Sequence, residues 1–507
     1  MATKLLMLVI FFAIMVSVGI YARKHATSVD GYVLGGRSVG PWLTAFAYGT
    51  SYFSAVVFVG YAGQFGWKYG LASTWIGLGN AIIGSLLAWV VLGRRTKVMT
   101  QHLNSKTMPD FFGERYESKA LKITASAIVF IFLVPYTASV YNGLSRLFGM
   151  AFNIPYTWCV IAMAVFTAIY VILGGYMATA INDFIQGIIM LFGIVAVIAS
   201  VLNGQGGFME AVSKMAQIPS DVPATMGQPG AFTSFFGPDP LNLLGVVILT
   251  SLGTWGLPQM IGKFYAIKDE KSINTGTVIS TLFAIVISGG CYFLGGFGRL
   301  FDSAEIYNAE TGAVVYDSII PSMLSKLPDI LIGIVVVLVL SASMSTLSSL
   351  VLTSSSTMTL DLLKDNIMKE MSEKKQIITM QILIVFFIVV SVVIALDPPT
   401  FIAQLMGISW GALAGAFLAP FLYGLYWKGV TRAGVWAGFI AGVGITVSNM
   451  FIGYIASPIN AGAAAMVAGL VIVPLVSLVT PKLKKEDVDE IFTCYEEKVV
   501  STKKRNL

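Results

Sequence analysis

Charged residues are scarce in this chain. Asp, Glu, Lys and Arg make up 11% of its 507 residues, under half of the roughly one quarter that a soluble domain uses to face water. With 56% hydrophobic residues, most of its surface has to meet lipid. Cysteine is nearly absent as well. Cys159, Cys291 and Cys494 stand far apart, so no disulfide framework and no CxxC metal pair can be built. Only His25 and His102 are available, both in polar joints, which excludes a histidine-based catalytic centre or zinc site. The net charge of +6 is read as topology, not as a nucleic-acid partner, because Lys and Arg collect in the cytoplasmic loops of membrane proteins.

What the chain has in plenty is long apolar runs. A helix needs ~20 residues to cross ~30 Å of hydrocarbon, and the runs at 5–22, 41–65, 70–93, 120–148, 155–173, 178–201, 241–266, 272–298, 327–357, 377–396, 399–427, 433–454 and 460–480 qualify. That predicts an all-α polytopic membrane protein of about thirteen spans. The first run is longer than a signal-peptide core, and no small-x-small site precedes Arg23 and Lys24, so it is read as retained. Alternate joints separate by charge. One set holds Arg23, Lys24, Arg37, Arg94, Arg95, Lys97, Lys106, Arg115, Lys268, Lys271, Lys364, Lys369, Lys374, Lys375, Lys428, Arg432 and the tail from Lys482. The other holds little beyond Lys4, Lys68, Lys214 and Lys326, among acids such as Asp302, Glu305, Glu310 and Asp317. The expected orientation is N-terminus outside and C-terminus inside, which requires an odd number of spans. Residues 1–480 read as one transmembrane domain and 481–507 as a charged cytoplasmic tail.

Three features do not belong in lipid. Asp183 lies near the start of the run 178–201, in Gly174-Gly175-x7-Asp183-x2-Gln186. It faces a cavity, an ion or a partner charge, or it sits among the headgroups; both readings stand at this point. The run 327–357 carries Ser341-Ala342-Ser343-Met344-Ser345-Thr346-Leu347-Ser348-Ser349, in which Ala342, Ser345, Thr346 and Ser349 share one helical face. Their neutral oxygens suit a monovalent cation that must later leave, and small residues equally serve close helix packing. Finally, two runs look broken, at Tyr48-Gly49-Thr50-Ser51-Tyr52-Phe53-Ser54 and at Gly253-Thr254-Trp255-Gly256-Leu257-Pro258. Unwound backbone at membrane depth lines a cavity or is buried by protein, and matched breaks in two halves point to a transporter site. The halves they open are 41–201 and 241–427.

These residues resemble the sodium:solute symporters, which include bacterial proline, pantothenate and sialic acid carriers. The resemblance runs from about Leu5 to Lys482. It is carried by Tyr32-x-Leu-Gly-Gly-Arg-Ser-x-Gly40, Gly174-Gly-x7-Asp-x2-Gln186, Met344-Ser-Thr-Leu-Ser-Ser349 and Tyr423-Gly-Leu-Tyr-Trp-Lys428. It implies a LeuT-type repeat of five plus five inverted helices, one helix before and two after. It implies Na+ as the coupling ion, held at a principal site by the Thr50, Phe53 and Ala342 carbonyls and the Ser345 and Thr346 hydroxyls. Some members have a second sodium site, and Asp183, Ser345, Ser348 and Ser349 match it. The expected solute lining is Ser51, Tyr52, Ser54, Tyr136, Thr254 and Trp255, with aromatics that either bind or gate. Proline carriers of the family have an Asp where this chain has Tyr52, which argues against a plain proline carrier.

The expected activity is therefore sodium-coupled symport of a small organic solute of the amino acid, vitamin or monocarboxylate class, without covalent chemistry. The rivals are a membrane-embedded solute sensor, a proton-coupled carrier of the same fold, a channel and a major-facilitator carrier. The short tail argues against the sensor, and the odd span count argues against the last. The expected partners are a small-molecule solute, sodium ions and the lipid bilayer, with no nucleic acid. The number of subunits stays open, a monomer among the options.

Overall fold

The computed structural model describes residues 2–496, so the last part of the predicted tail lies outside the described residues. The chain folds as α1 (Ala2–Ala22), α2 (Pro41–Tyr52), α3 (Val56–His102), α4 (Lys119–Phe152), α5 (Tyr156–Gly204), α6 (Pro240–Leu252), α7 (Pro258–Ala266), α8 (Glu270–Gly295), α9 (Asp329–Ile367), α10 (Glu373–Leu396), α11 (Ile402–Tyr426), α12 (Arg432–Ile452) and α13 (Pro458–Val479). Shorter helices fill the joints, and the described residues contain only isolated bridges in place of strands. Ten of these helices are long and apolar enough to cross a membrane, and the bent pair α6–α7 makes an eleventh. Every expected span falls on a helix. The expected figure of thirteen differs because α3 and α5 each run on through a turn.

Local chemistry sets the boundaries. Pro41 opens α2 and Pro258 opens α7 at the first helical positions, where a missing N–H costs nothing. Ser118, Asp239, Asp269, Ser372 and Thr431 cap their helices by accepting a backbone N–H three residues on. Asn153 and Gly453 end α4 and α12 in the left-handed conformation, as C-terminal caps commonly do. α3 and α5 contain 47 and 49 residues. A straight helix of that length spans roughly 70 Å, over twice the hydrocarbon thickness. Each contains one glycine at positive φ, Gly70 at 61° and Gly175 at 52°. At Gly175 a side chain would also stand 2.7 Å from the Tyr32 carbonyl oxygen, and the Tyr32 hydroxyl reaches back to the Val171 carbonyl at 3.3 Å. The first two sequence motifs are thus the two halves of one close contact.

The most buried helices are α9 and α11. α9 packs against α2, α4, α5, α7 and α10, so the hydroxyl stripe lies in the protein interior. α1, α10 and α12 turn Val9, Ile382, Val393 and Phe451 outward, as lipid-facing helices do. Outside the core, ion pairs fall into two groups that do not mix. Lys106–Asp30, Arg94–Glu270, Arg432–Glu117, Lys428–Asp489 and Lys122 with Asp110 and Asp365 join the cation-rich joints. Lys4–Asp329, Arg146–Asp317 and Arg299–Asp221 join the others.

Glycines set how closely the helices meet. A methyl group on Gly66 would lie 1.9 Å from the Gly295 carbonyl oxygen, whereas one on Gly444 would meet nothing within 4 Å. Backbone cannot give way as a side chain can, and overpacking costs ~1–3 kcal/mol or more. Gly66→Ala should therefore lower the melting temperature in detergent by several degrees while Gly444→Ala leaves it unchanged. Equal melting temperatures for the two variants would refute the packing argument.

Asp317, in the joint before α9, accepts the Ile402 N–H at 3.3 Å at the start of α11 and lies 3.9 Å from Arg146. Burial raises its carboxyl to about 6, against the opposing pull of Arg146 and the Ile402 N–H. The unfolded chain loses this proton at ~3.9. The stabilising proton is therefore present below ~4 and lost as pH rises through 6. The melting temperature of the wild type should fall from about pH 4 to about pH 7 more steeply than that of Asp317→Asn. Parallel curves would show that the group does not contribute.

Candidate functional site

The two breaks predicted from sequence are where the structure puts them. α2 ends at Tyr52, and Phe53 is extended (φ −104°, ψ 109°). The chain resumes helix only beyond Ser54, whose hydroxyl accepts the Val56 N–H at 3.1 Å. In the second half α6 passes through a turn at Gly253–Trp255, Leu257 is extended (φ −88°, ψ 122°), and α7 restarts at Pro258, bent by 40°. Each break leaves carbonyls without helical partners at membrane depth, where they must be met by protein or by an ion.

At the first break α9 meets them. The Ser345 hydroxyl lies 2.9 Å from the Thr50 carbonyl and 3.0 Å from the Ala342 carbonyl. The Thr346 hydroxyl lies 3.3 Å from Thr50, 3.4 Å from Ser51 and 3.1 Å from Ala342 carbonyls. These five oxygens are buried and share only two protons, one per hydroxyl. The Ala342 carbonyl already accepts a backbone N–H within α9, so the two hydroxyl protons are left for the Thr50 and Ser51 carbonyls, and the second lone pairs of the carbonyls and those of the hydroxyls remain to spare. The carbonyl end of α2 adds the negative end of its helix dipole. An oxygen-rich, proton-poor, neutral cluster fits a monovalent cation. Thr50, Ala342, Ser345 and Thr346 are thus brought together as predicted, and Ser51 joins them by its carbonyl. Phe53 stands at the break itself, and the hydroxyls reach Thr50 and Ser51 instead.

Asp183, Ser348 and Ser349 are arranged differently. Asp183 is fully buried, which removes the headgroup reading. Its Oδ2 lies 4.0 Å from Nζ of Lys263 on α7. Lys263 donates to the Ser349 hydroxyl at 2.9 Å, and Ser349 pairs with the Ser51 hydroxyl at 2.7 Å. The Ser348 hydroxyl turns back to the Ser345 carbonyl at 2.8 Å. Lys263 escapes a search for acids in apolar runs. The signal that finds it is a lysine inside Met260-Ile261-Gly262-Lys263-Phe264-Tyr265, since any ionisable residue in a span marks function until shown otherwise.

On the other side of the break lies an aromatic enclosure. Tyr52 stacks on Trp410 of α11 (5.6 Å between ring centres, 23°), and Tyr136 meets the same indole edge-on (5.9 Å, 80°). The Tyr52 hydroxyl donates to the Thr250 carbonyl, at the end of α6, so one aromatic side chain links both breaks. Thr254 donates within 3.0 Å of the Gly84 and Ser251 carbonyls, and the Trp255 indole donates to the Ile83 carbonyl at 2.9 Å. Tyr61, Tyr136 and Tyr292 are buried. The Tyr61 hydroxyl is buried and makes no hydrogen bond among the described residues, while Tyr136 stands near Ser54 and Trp410 and Tyr292 near Asn80. Such a group is rare in a native interior and calls for a partner. Trp410 was not predicted, because one tryptophan in a long apolar run looks like any other core residue.

Cavities approach from both ends. One, lined by Trp67, Lys68, Asp239, Arg299, Tyr316 and Asn460, holds about 580 Å³. The other, lined by Lys106, Thr107, Tyr176, Gln259, Lys263 and Ser349, holds about 40 Å³, room for one or two waters. The Tyr52–Trp410–Tyr136 layer is lined by neither.

The architecture is shared with known carriers. A sodium-coupled sialic acid symporter, solved substrate-bound and outward-open, superposes with a TM-score of 0.77 at 15% identity, over 95% of this chain and 98% of that one. A nucleobase-cation-symport-1 family transporter matches more distantly, with a TM-score of 0.50 at 13% identity over 91% of this chain and 98% of that one. The sodium/proline symporters of Staphylococcus aureus strains JH9 and COL are each 31% identical over 500 residues, covering 95% of this chain and 93% of theirs. The sequence pattern of the sodium:solute symporter family matches residues 32–442. This multi-pass cell-membrane protein belongs to the sodium:solute symporter family, is a transporter and not an enzyme, and uses Na+ as its coupling ion.

Proposed function

We propose that the chain carries a small organic solute of the amino acid, vitamin or monocarboxylate class into the cell with sodium, by alternating access. The observation that carries this reading is the five-oxygen cluster of Thr50, Ser51, Ala342, Ser345 and Thr346, with two protons among its members. Sodium bound there ties the broken first helix to α9. The solute docks beside it, against Ser51, Tyr52, Ser54, Tyr136, Thr254 and Trp255, to which Trp410 is added. The proline symporters among the relatives favour the amino acid class. Tyr52, engaged with Thr250, leaves no carboxylate at that point of the enclosure, which favours a solute other than proline itself.

The proposed topology follows from counting α3 and α5 twice, which together with the bent pair brings ten helices to thirteen spans. The inverted repeats are then 41–201 and 241–427, with the N-terminus outside. The separation of the ion pairs into two groups supports placing the cation-rich joints in the cytoplasm.

Uptake into proteoliposomes, with sodium and proton gradients imposed separately, tests the reading. A panel of labelled proline, other amino acids, monocarboxylates and vitamins should yield a solute that accumulates only under an inward sodium gradient. Accumulation driven by protons alone, or a sodium current that needs no solute, would overturn it. The Ser345→Ala/Thr346→Ala variant should raise the half-saturating sodium concentration at least ~10-fold, about 1.4 kcal/mol of binding. An unchanged value would move the ion elsewhere.

A further inference from the structure

We propose that the ammonium of Lys263 is a built-in cation occupying the second cation position of this carrier, so that it binds one sodium per cycle and not two. The proposal rests on the sodium-symport reading above, and its test separates the two.

Lys263 lies on α7, five residues beyond the second break, with a side chain 3% exposed. A lysine at that depth needs a counter-charge and oxygen acceptors, and it has both. Ser349 accepts its hydrogen bond at 2.9 Å, the Asp183 carboxylate lies at 4.0 Å, and the Tyr176 ring lies 5.2 Å away, within cation–π range. Asp183 and Ser349 are two of the oxygens that the family resemblance assigns to a second sodium. Here they face a charge that the chain supplies itself.

The two remaining members of that set do not converge on the same point: the Ser345 hydroxyl is engaged with the Thr50 and Ala342 carbonyls. Ser348 donates to the Ser345 carbonyl within its own helix. Asp183 contributes a single negative charge. With Lys263 beside it the pair is neutral, and a sodium ion added there would put two positive charges against one negative in a poorly screened interior. The ammonium also does the mechanical task of an ion. It joins α7 to α5 through Asp183 and to α9 through Ser349. Ser349 passes the contact to Ser51, whose carbonyl belongs to the principal cluster. An ion in that place would make those links only when bound from solution; the lysine makes them permanently.

The test is the number of 22Na+ ions bound per polypeptide at saturation, measured on the purified full chain without solute. The wild type should bind one, with a Hill slope near one. Lys263→Ala frees Asp183 and Ser349 and should bind two, and Lys263→Ala/Asp183→Asn should return to one. Two ions bound to the wild type would overturn the tethered cation and leave sodium symport standing. So would a folded Lys263→Ala that still binds one. No ion bound to the wild type, or one insensitive to Ser345→Ala/Thr346→Ala, would instead overturn the symport reading. Should Lys263→Ala fail to fold, Asp183→Asn alone decides. A tethered cation leaves its count at the wild-type single ion, whereas a true second sodium site drops it from two to one.

Discussion

A helix broken inside a bilayer exposes carbonyl oxygens where no water can reach them, and the arrangement around Phe53 follows from how they are met. The Thr50 and Ser51 carbonyls have lost their helical N–H partners, and an unsatisfied polar group in hydrocarbon costs several kcal/mol. Ser345 and Thr346 come within hydrogen-bond distance with one proton each, which leaves every oxygen of the group a lone pair to spare. A backbone left in this condition suits a cation, which is why the sodium site is proposed there. The two freed carbonyls also explain why the hydroxyls of Ser345 and Thr346 have to face the interior.

Holding that cluster together demands that helices approach closely. Gly175 against Tyr32, Gly66 against Gly295 and Gly442 against the backbone of Gly415 and Ala416 are contacts that no side chain could enter. They occur around the breaks as well. A methyl group on Gly253 would strike the Trp410 ring, and one on Gly256 would strike the backbone of Ala414 and Leu418. The second break is therefore pressed against α11, and Trp410 is placed where both Tyr52 and Tyr136 can lean on it. Association of helices in lipid gains little from hydrophobicity and depends on such packing.

Most of this was legible in the sequence for identifiable reasons. Span positions follow from run length. The breaks follow from glycine and proline, whereas hydroxyls recurring at helical spacing left cation binding and close packing both open until the family resemblance pointed to the first. The number of helices was less legible, because a turn at a glycine such as Gly70 or Gly175 does not end the helix in which it lies. Asp183 could be found but not placed, since a carboxylate near a helix start looks the same at a headgroup and in a core. Its partner settles the matter, and that partner lies 80 positions away on another helix. Lys263 was hidden by its own neighbours. Met260, Ile261, Phe264 and Tyr265 make the run read as apolar, and only the fold reveals that the lysine points at Asp183.

The charge balance of the interior then shapes what the carrier can accept. If Lys263 compensates Asp183 as proposed, the interior around the first break carries no net charge before sodium arrives. A sodium ion at Thr50, Ser345 and Thr346 makes it positive, in surroundings where one charge acts strongly over several ångströms. A solute carboxylate entering beside Ser51 and Ser54 would meet that charge directly. Sodium would therefore raise solute affinity, and solute would raise sodium affinity by the same factor. The neutral hydroxyl of Tyr61 remains to read the rest of the molecule. On this reading coupling needs no arginine in the cavity: the ion itself is the anion-binding group, and the permanent charge of Lys263 keeps the background neutral so that the mobile one decides.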